Sequence, residues 1–212
     1  MKKICLFLLL FIPFIVHAED LNLAENAKSA ILIEASTGEV IYSKNVNERL
    51  APASMTKIMS LILIMENIEN GNLKWNDIVV VSKNAASMGG SQIFLEQNEM
   101  MSVEDLVKGI CVASGNDATV AMAEKIAGTE TAFVKLMNEK AQSLGLKNTH
   151  FVNATGLDAE GHYSSAFDMA VMARELVKHQ KILEFSSIYE DYLRKNTNNS
   201  FWLVNTNKVV YI

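Results

Sequence analysis

The segment from Pro52 to Lys57, followed directly by the apolar run from Ile58 to Met65, constrains this chain more than any other. A proline disfavours helix in the residue before it, so the apolar run predicts a buried helix that begins at about Ser54. Side chains three residues apart share one face of a helix, which would place the Lys57 amine beside the Ser54 hydroxyl. A serine becomes a good nucleophile when a neighbouring base takes its proton. The segment therefore predicts a reactive serine, while a solvated lysine on an ordinary helix fits the same short pattern.

The first eighteen residues differ in character from the rest of the chain. Two lysines precede an apolar run from Ile4 to Val16, and Ala18 closes a small-residue cleavage pattern. This arrangement is typical of a secretory signal peptide, and the run is shorter than the about 20 residues of a membrane span. We therefore predict that residues 1–18 are a signal peptide cleaved after Ala18. We also predict that residues 19–212 form one exported domain without a membrane anchor.

The charge and the cysteine content argue against several classes of protein. Nineteen basic residues against 24 acidic ones give a net charge of −5, without a basic stripe, which argues against a nucleic-acid partner. Cys5 lies in the predicted signal peptide, so Cys111 would have no partner for a disulfide or a cysteine-based metal site. We predict that Cys111 is a small buried apolar residue.

The histidines do not form a recognisable catalytic or metal-binding pattern. The sequence contains no G-x-S-x-G motif for a Ser-His-Asp triad, and no H-x-x-x-H or H-E-x-x-H pair for a metal. We therefore predict surface or capping roles for His150, His162 and His179, and we predict no metal site.

The distribution of apolar runs and turn residues predicts an α+β domain. Helices are predicted at about Ser54–Asn67, Ser102–Ala113, Asp117–Ala127, Thr129–Leu144 and Ser165–His179. Strands are predicted at Ser29–Ala35, Glu39–Ser43, Asp77–Ser82, Gln92–Leu95, the start of Thr149–Gly156, and two runs within Ser200–Ile212. Because strands lie near both ends, we expect the terminal segments to share one antiparallel sheet packed against the helices.

Ser114-Gly115-Asn116 is the candidate partner of the reactive serine. A buried lysine is costly unless it is hydrogen-bonded, so further polar groups should converge on Lys57. The tripeptide lies between two predicted helices, where a loop can present a hydroxyl and an amide inward. Ser82-Lys83-Asn84 has the same S-x-N spacing, but it follows a short strand and is typical of a turn.

Four blocks of this sequence, in order, resemble the serine-type D-Ala-D-Ala carboxypeptidases, the low-molecular-mass penicillin-binding proteins. The blocks are ILIEASTGEVIYSKN, APASMTKIM, VASGNDATVAMAE and FVNATGLDAEGHYSSAFDMA. The resemblance implies a penicillin-binding/β-lactamase-like α+β fold, with an antiparallel sheet packed against a cluster of helices. It also implies that Ser54 is the acylated nucleophile and Lys57 its proton acceptor. Ser114 would be a second hydroxyl in the proton relay, and Asn116 would hold the peptide of the substrate.

The same resemblance implies a substrate and a location. The substrate would be the peptidoglycan stem peptide that ends in D-Ala-D-Ala, and β-lactams would acylate the same serine. No cofactor is implied. The exported domain would act in the bacterial cell envelope, either in the periplasm or on the outer face of the cytoplasmic membrane.

One motif of this family does not occur in the sequence. The family carries K-T-G or K-S-G on a strand that would follow the stretch Phe201–Lys208, and neither string stands there. We therefore expect residues 19–212 to be a partial catalytic domain without the last strands of the sheet. Two alternatives follow: a non-catalytic fragment that at most binds muropeptide, and a serine β-lactamase. The β-lactamase is disfavoured because Ser-Gly-Asn replaces Ser-Asp-Asn and no Glu-x-x-Leu-Asn string is present.

Overall fold

The structure is a computed structural model that describes residues 23–195 and 197–211. The predicted signal peptide at residues 1–18 lies outside these described residues. Within the described ranges, no helix combines the length and the apolar character needed to cross a membrane.

The described residues form an α+β fold, as predicted. Its seven α-helices are α1 (Lys57–Glu69), α2 (Lys83–Ala86), α3 (Val103–Ala113), α4 (Asn116–Ala127), α5 (Glu130–Ser143), α6 (Ala166–Leu176) and α7 (Gln180–Ser186). Its six strands are β1 (Ala30–Ile33), β2 (Val40–Lys44), β3 (Ile78–Val80), β4 (Met100–Ser102), β5 (Glu190–Leu193) and β6 (Phe201–Val204). The helices α3, α5 and α6 begin at Ser102, Thr129 and Ser165, whose hydroxyls each accept the backbone N–H three residues later.

Helix α1 lies at the centre of the fold. Its side chains are buried on most sides, and those of Met59, Ile62 and Ile64 are fully buried. It packs against α4, α5 and α6. An α-helix that is apolar on most faces needs neighbours all around it, and these helices supply them. The N-terminal end of α1, which follows the Ser54 segment, is therefore held firmly in place.

The strands form three separate antiparallel pairs rather than one sheet. The predicted hairpin β1–β2 is present, and Gly38 adopts the left-handed φ of +79° that its tight turn requires. The other two pairs are β3–β4 and β5–β6. The prediction that the terminal segments share a sheet is wrong for the described residues. Their hairpins pack on different helices, β1 on α6 and the β5–β6 pair on α3, and they form separate two-stranded sheets.

Two other predicted strands are not formed. Residues 92–95 are irregular because Phe94 has a φ of +57° and the Asp117 carboxylate binds the amides of Ile93 and Leu95. The predicted strand at Thr149 is reduced to a single bridge between His150 and Tyr163.

The elements after Ser165 also depart from the prediction. Helix α6 ends at Leu176, because the amides of Lys178 and His179 turn back to carbonyls three residues earlier. Strand β5 was not predicted, and the last predicted run forms a 3₁₀ turn over Lys208–Tyr211 instead of a strand. In both regions, packing against neighbouring elements overrides the local pattern.

Candidate active site

Ser54 lies in a 3₁₀ turn, Ala53–Thr56, that leads directly into α1. The Lys57 Nζ donates a hydrogen bond to the Ser54 Oγ over 3.3 Å, so the predicted pairing at i and i+3 is observed. Ala53 has a left-handed φ of +48°, which turns the chain sharply just before the serine. The Ser54 side chain is exposed to solvent, whereas Lys57 is only 4% exposed. A substrate can therefore reach the hydroxyl from outside while the amine stays buried beside it.

Burial gives Lys57 the character of a base. Its Nζ also donates to the Thr155 carbonyl oxygen over 2.8 Å, which holds the amine in place. Burial lowers the pKa of the Lys57 amine to about 8, because the charged form loses hydration. An amine with a pKa close to the working pH is partly deprotonated, which is the state that can accept a proton from a serine.

The loop from Phe151 to Leu157 supplies the carbonyl that orients Lys57. Gly156 approaches the turn before α1 so closely that a Cβ on it would lie 1.8 Å from the Ala53 carbonyl oxygen. Its φ of +89° is also one that glycine adopts without strain. The Asn153 side chain braces the loop by accepting the Thr155 and Gly156 amides and donating to the Leu157 carbonyl.

Ser114-Gly115-Asn116 connects α3 and α4, as its sequence position predicts. Ser114 ends α3 with a left-handed φ of +57°. Asn116 is 4% exposed, and its Nδ2 donates to the Gly89 carbonyl oxygen over 2.7 Å. The Ser114 Oγ and the Asn116 Oδ1 are buried and have no hydrogen-bond partner among the described residues. Two buried polar atoms are thus left to bind something else.

The segment from Gly89 to Leu95 is fixed against these residues. The backbone N–H of Asn116 donates to the Ser91 carbonyl oxygen over 2.7 Å. The buried Asp117 carboxylate accepts the backbone amides of Ile93 and Leu95. The Arg194 guanidinium donates to the Ile93 carbonyl from the opposite side. Sequence reasoning missed the Asp117 and Arg194 contacts, since each joins segments far apart in the chain.

A cavity of about 290 Å³ joins the two parts of the site. The residues that line it are Ala53, Ser54, Gly90, Ser91, Asn116, Thr155, Gly156, Leu157 and Asp158. The structure therefore brings Ser54 and Asn116 to one cavity, with Lys57 bonded to Ser54 beneath it. Ser114 does not line this cavity. A larger apolar cavity of about 530 Å³ lies between β1 and α6, but it contains none of the predicted site residues.

The histidine prediction was wrong for His162. This side chain is 7% exposed, and its Nε2 lies 2.8 Å from the Oγ1 of Thr56, a residue between Ser54 and Lys57 in sequence. His179 is also buried and bonds to the Glu69 carboxylate, far from Ser54 in the fold. The only sequence signal for His162 is its place in the fourth block of the resemblance. Cys111 is partly buried, and burial raises the pKa of its thiol to about 12.

The arrangement can support covalent acyl transfer. It contains an exposed hydroxyl, a buried amine within hydrogen-bond distance, and a cavity-lining asparagine whose buried Oδ1 has no partner among the described residues. These are the groups that a serine nucleophile with a lysine base requires. The structure thus brings Ser54, Lys57 and Asn116 together, and their chemical roles stay a prediction.

Comparisons with known proteins point to one family. A family model described as D-alanyl-D-alanine carboxypeptidase, peptidase S11, matches residues 15–212. The chain is 63% identical over 189 residues to the D-alanyl-D-alanine carboxypeptidase DacF of Bacillus subtilis. That match covers 89% of this chain and 49% of the relative, so the chain spans about half the length of the curated relative.

Solved structures agree with this result. Penicillin-binding protein 6B from Escherichia coli is 34% identical, with a TM-score of 0.81 over 88% of this chain and 59% of its own. Penicillin-binding protein D2 from Listeria monocytogenes, in its ampicillin-bound form, is 27% identical, with a TM-score of 0.74 over 87% of this chain and 74% of its own. These similarities confirm the predicted penicillin-binding fold class.

Proposed function

Because the chain belongs to the D-alanyl-D-alanine carboxypeptidase family, we propose that it carries a serine acyl-transfer site for peptidoglycan stem peptides ending in D-Ala-D-Ala. The observation that carries this proposal is the contact between Ser54 and a buried Lys57 whose pKa is lowered to about 8. A poor nucleophile and a base of suitable strength are already joined, so no third side chain is needed to activate the serine.

The acylation step follows from this contact. The Ser54 Oγ attacks the carbonyl carbon of the penultimate D-Ala while Lys57 takes its proton, and a C–O bond forms. The tetrahedral intermediate then collapses, the peptide C–N bond breaks, and the proton passes to the amine of the departing terminal D-Ala. Water later hydrolyses the Ser54 ester, which releases the shortened peptide and restores the hydroxyl.

The unpaired atoms near the site suggest how substrate is held. The Asn116 Nδ2 is bound to Gly89, whereas its buried Oδ1 has no partner in the described chain and would accept an N–H from the substrate backbone once substrate enters. The Ser114 hydroxyl, which has no partner in the described chain, would relay the proton between Lys57 and the leaving amine.

We propose that β-lactams acylate Ser54 as well. A β-lactam presents a strained amide that a serine can open without losing the acyl group. The ampicillin-bound form of the Listeria monocytogenes relative supports this part of the proposal.

We also propose that residues 1–18 direct the chain to the cell envelope, where this substrate is found. Ala18 is the expected cleavage position. N-terminal sequencing of exported protein should find residue 19 first, and a chain that keeps its first eighteen residues would contradict this part of the proposal.

Covalent labelling tests the function directly. The chain is treated with a fluorescent penicillin, and the labelled peptide is identified by mass spectrometry. We expect label on Ser54 in the wild type and in Ser187→Ala, which changes an exposed serine, and none in Ser54→Ala. The absence of label on folded wild-type protein would contradict the proposal and favour a non-catalytic fragment. Label that is lost rapidly as the penicillin is hydrolysed would indicate a β-lactamase.

A further inference from the structure

His162 connects the two segments that hold Lys57. Its Nε2 lies 2.8 Å from the Thr56 Oγ1, in the turn that precedes α1. Its Nδ1 accepts the Val152 backbone N–H over 3.0 Å, at the start of the loop that carries the Thr155 carbonyl. The ring is buried and meets Phe151 edge-on, with 5.9 Å between the ring centroids. One side chain thus bridges the element that bears the nucleophile and the loop that orients its base.

The hydrogen bonds define the protonation state of this ring. A backbone N–H can only donate, so the Nδ1 that accepts it carries no hydrogen. The ring is then the neutral tautomer with its hydrogen on Nε2, and that N–H donates to the Thr56 hydroxyl. Burial lowers the pKa of His162, the nearby His150 lowers it further, and Asp158 acts in the opposite direction. Burial and His150 together outweigh Asp158, so the neutral form is favoured near neutral pH.

We propose that His162 is a positioning residue for the Ser54–Lys57 pair. The neutral imidazole ties Thr56 to the 152–155 segment, and this tie keeps the Lys57 amine between the Ser54 hydroxyl and the Thr155 carbonyl. The inference rests on the proposed function, because it concerns the geometry of the same acylation step. His162 itself touches none of the reacting atoms.

Protonation should break this tie. A charged imidazole carries a hydrogen on Nδ1, which would face the Val152 N–H and abolish that hydrogen bond. The titratable groups that act on the ring are His150 and Asp158. Lys57 follows Thr56, which bonds to the ring, and Glu130 of α5 binds the Ala154 amide two residues beyond Val152. The described contacts give the charged ring no carboxylate partner in hydrogen-bond contact that would compensate.

The first test compares acylation rates of matched variants. His162→Ala removes both hydrogen bonds, whereas the amide of His162→Gln can accept from Val152 and donate to Thr56. We expect His162→Ala to slow penicillin acylation by about tenfold or more, the order of one hydrogen bond of ordinary strength, and His162→Gln to stay within about threefold of the wild type. Equal rates for the wild type and a folded His162→Ala would overturn the proposal.

The second test uses pH and does not require the alanine variant to fold. Below pH 8 the rate should fall about tenfold per pH unit, because Lys57 must lose its proton. In the wild type, the fall should steepen over the range in which His162 also becomes protonated, below its ordinary pKa of 6.5, and the extra loss should reach about tenfold in all, as in His162→Ala. His162→Gln should show no such steepening, and His150→Ala should keep it. A wild type and a His162→Gln variant with the same pH profile would overturn the proposal.

The third test separates this inference from the proposed function. Nitrogen-15 NMR of the imidazole should show a hydrogen-free Nδ1, and a protonated Nδ1 at pH 7 would overturn the inference. Amide exchange at Val152 should be slow in the wild type and His162→Gln and about tenfold faster in His162→Ala. A chain that is not acylated at all would contradict the proposed function. The exchange rates would then still decide whether His162 holds the loop.

Discussion

Two groups of residues make up the candidate site, and they differ in how their polar atoms are paired. The paired side comprises residues of the turn before α1, of α1 itself, and of residues 151–162: Thr56, Lys57, Thr155 and His162. Here Lys57 reaches both Ser54 and the Thr155 carbonyl, and His162 holds Thr56. The unpaired side comprises Ser114 and Asn116, each of which buries one polar atom without a partner among the described residues.

This difference suggests a division of roles. A buried polar atom without a hydrogen bond costs about 1–3 kcal/mol, and folded proteins retain few of them. Under the proposed function, the paired side has little hydrogen-bonding capacity left and would hold Ser54 and Lys57 in position. The unpaired side would keep its hydrogen-bonding capacity for a substrate. Changes on the paired side should therefore affect geometry, and changes on the unpaired side should slow the reaction with little loss of stability.

The largest effect is expected at the base on the paired side. Lys57→Met keeps most of the side-chain volume but removes the proton acceptor, so acylation of Ser54 should fall by about 10³-fold, within the range for a general base. Stopped-flow or gel-based labelling with a fluorescent penicillin measures the rate. Lys135→Ala, at an exposed lysine of α5, is the control and should label normally. A Lys57→Met variant that retains more than a tenth of the rate would show that another group takes the proton.

Gly156 tests how closely the paired side is packed. A Cβ at this position would lie 1.8 Å from the Ala53 carbonyl oxygen, at a φ of +89°. Gly156→Ala should therefore lower the free energy of unfolding by about 3 kcal/mol or more, through overpacking and backbone strain together. Gly128→Ala is the matched control, because Gly128 has a φ of +80° and nothing within 4 Å. The free energy of unfolding of Gly128→Ala, measured in urea, should fall by only about 1 kcal/mol. Equal losses would show that the close approach of the loop is unimportant.

The sequence predicts the contacts between residues that are close in the chain and misses the contacts between residues that are far apart in it. The Ser54–Lys57 contact follows from helical spacing, and the helix starts at Ser102, Thr129 and Ser165 follow from capping side chains. These interactions span three residues and depend little on the rest of the fold.

The missed features depend on tertiary structure. Lys57 and Thr155 are 98 residues apart in the chain, and Thr56 and His162 are 106 apart. No local pattern specifies such a partner, because the contact exists only after α1 and the 151–157 loop have packed together. The strands β4 and β5 were missed for the same reason. Both are short, and tertiary packing determines the strand with which each one pairs.

The pKa of Lys57 predicts how stability on the paired side depends on pH. The folded pKa of about 8 lies below the ordinary value of 10.5, so the unfolded chain binds the proton more tightly. Stability should therefore rise with pH between about 8 and 10.5 and be unaffected by this group below 8. The free energy of unfolding of the wild type should rise by up to about 3 kcal/mol relative to that of Lys57→Met. Urea unfolding at a series of pH values measures this difference. A constant difference across this range would contradict the lowered pKa.

Asn116 is the first test of the unpaired side. Asn116→Ala removes the free Oδ1 together with the hydrogen bond to Gly89. We expect acylation to slow by about 30-fold, equivalent to about 2 kcal/mol, because the substrate loses a buried hydrogen bond. Stability should change by no more than about 1 kcal/mol, since one paired and one unpaired atom are removed together. Asn84→Ala, an asparagine of α2, is the control. A loss of stability without a loss of rate would place Asn116 among the structural residues.

Substitution of Ser114 is expected to have the smallest effect, and it should raise the free energy of unfolding rather than lower it. Its φ of +57° costs an ordinary residue about 1 kcal/mol that glycine avoids, and its buried hydroxyl has no partner in the described chain. Ser114→Gly removes both costs, although glycine loses more entropy on folding. We therefore expect the free energy of unfolding to rise by about 1 kcal/mol, measured by urea unfolding at an unchanged denaturant slope. Ser114→Ala, which keeps the strained backbone, should gain less. Both variants should acylate more slowly than the wild type, because neither can relay a proton. A fall in stability would mean that the hydroxyl is paired in solution, and the distinction between the two sides would then fail.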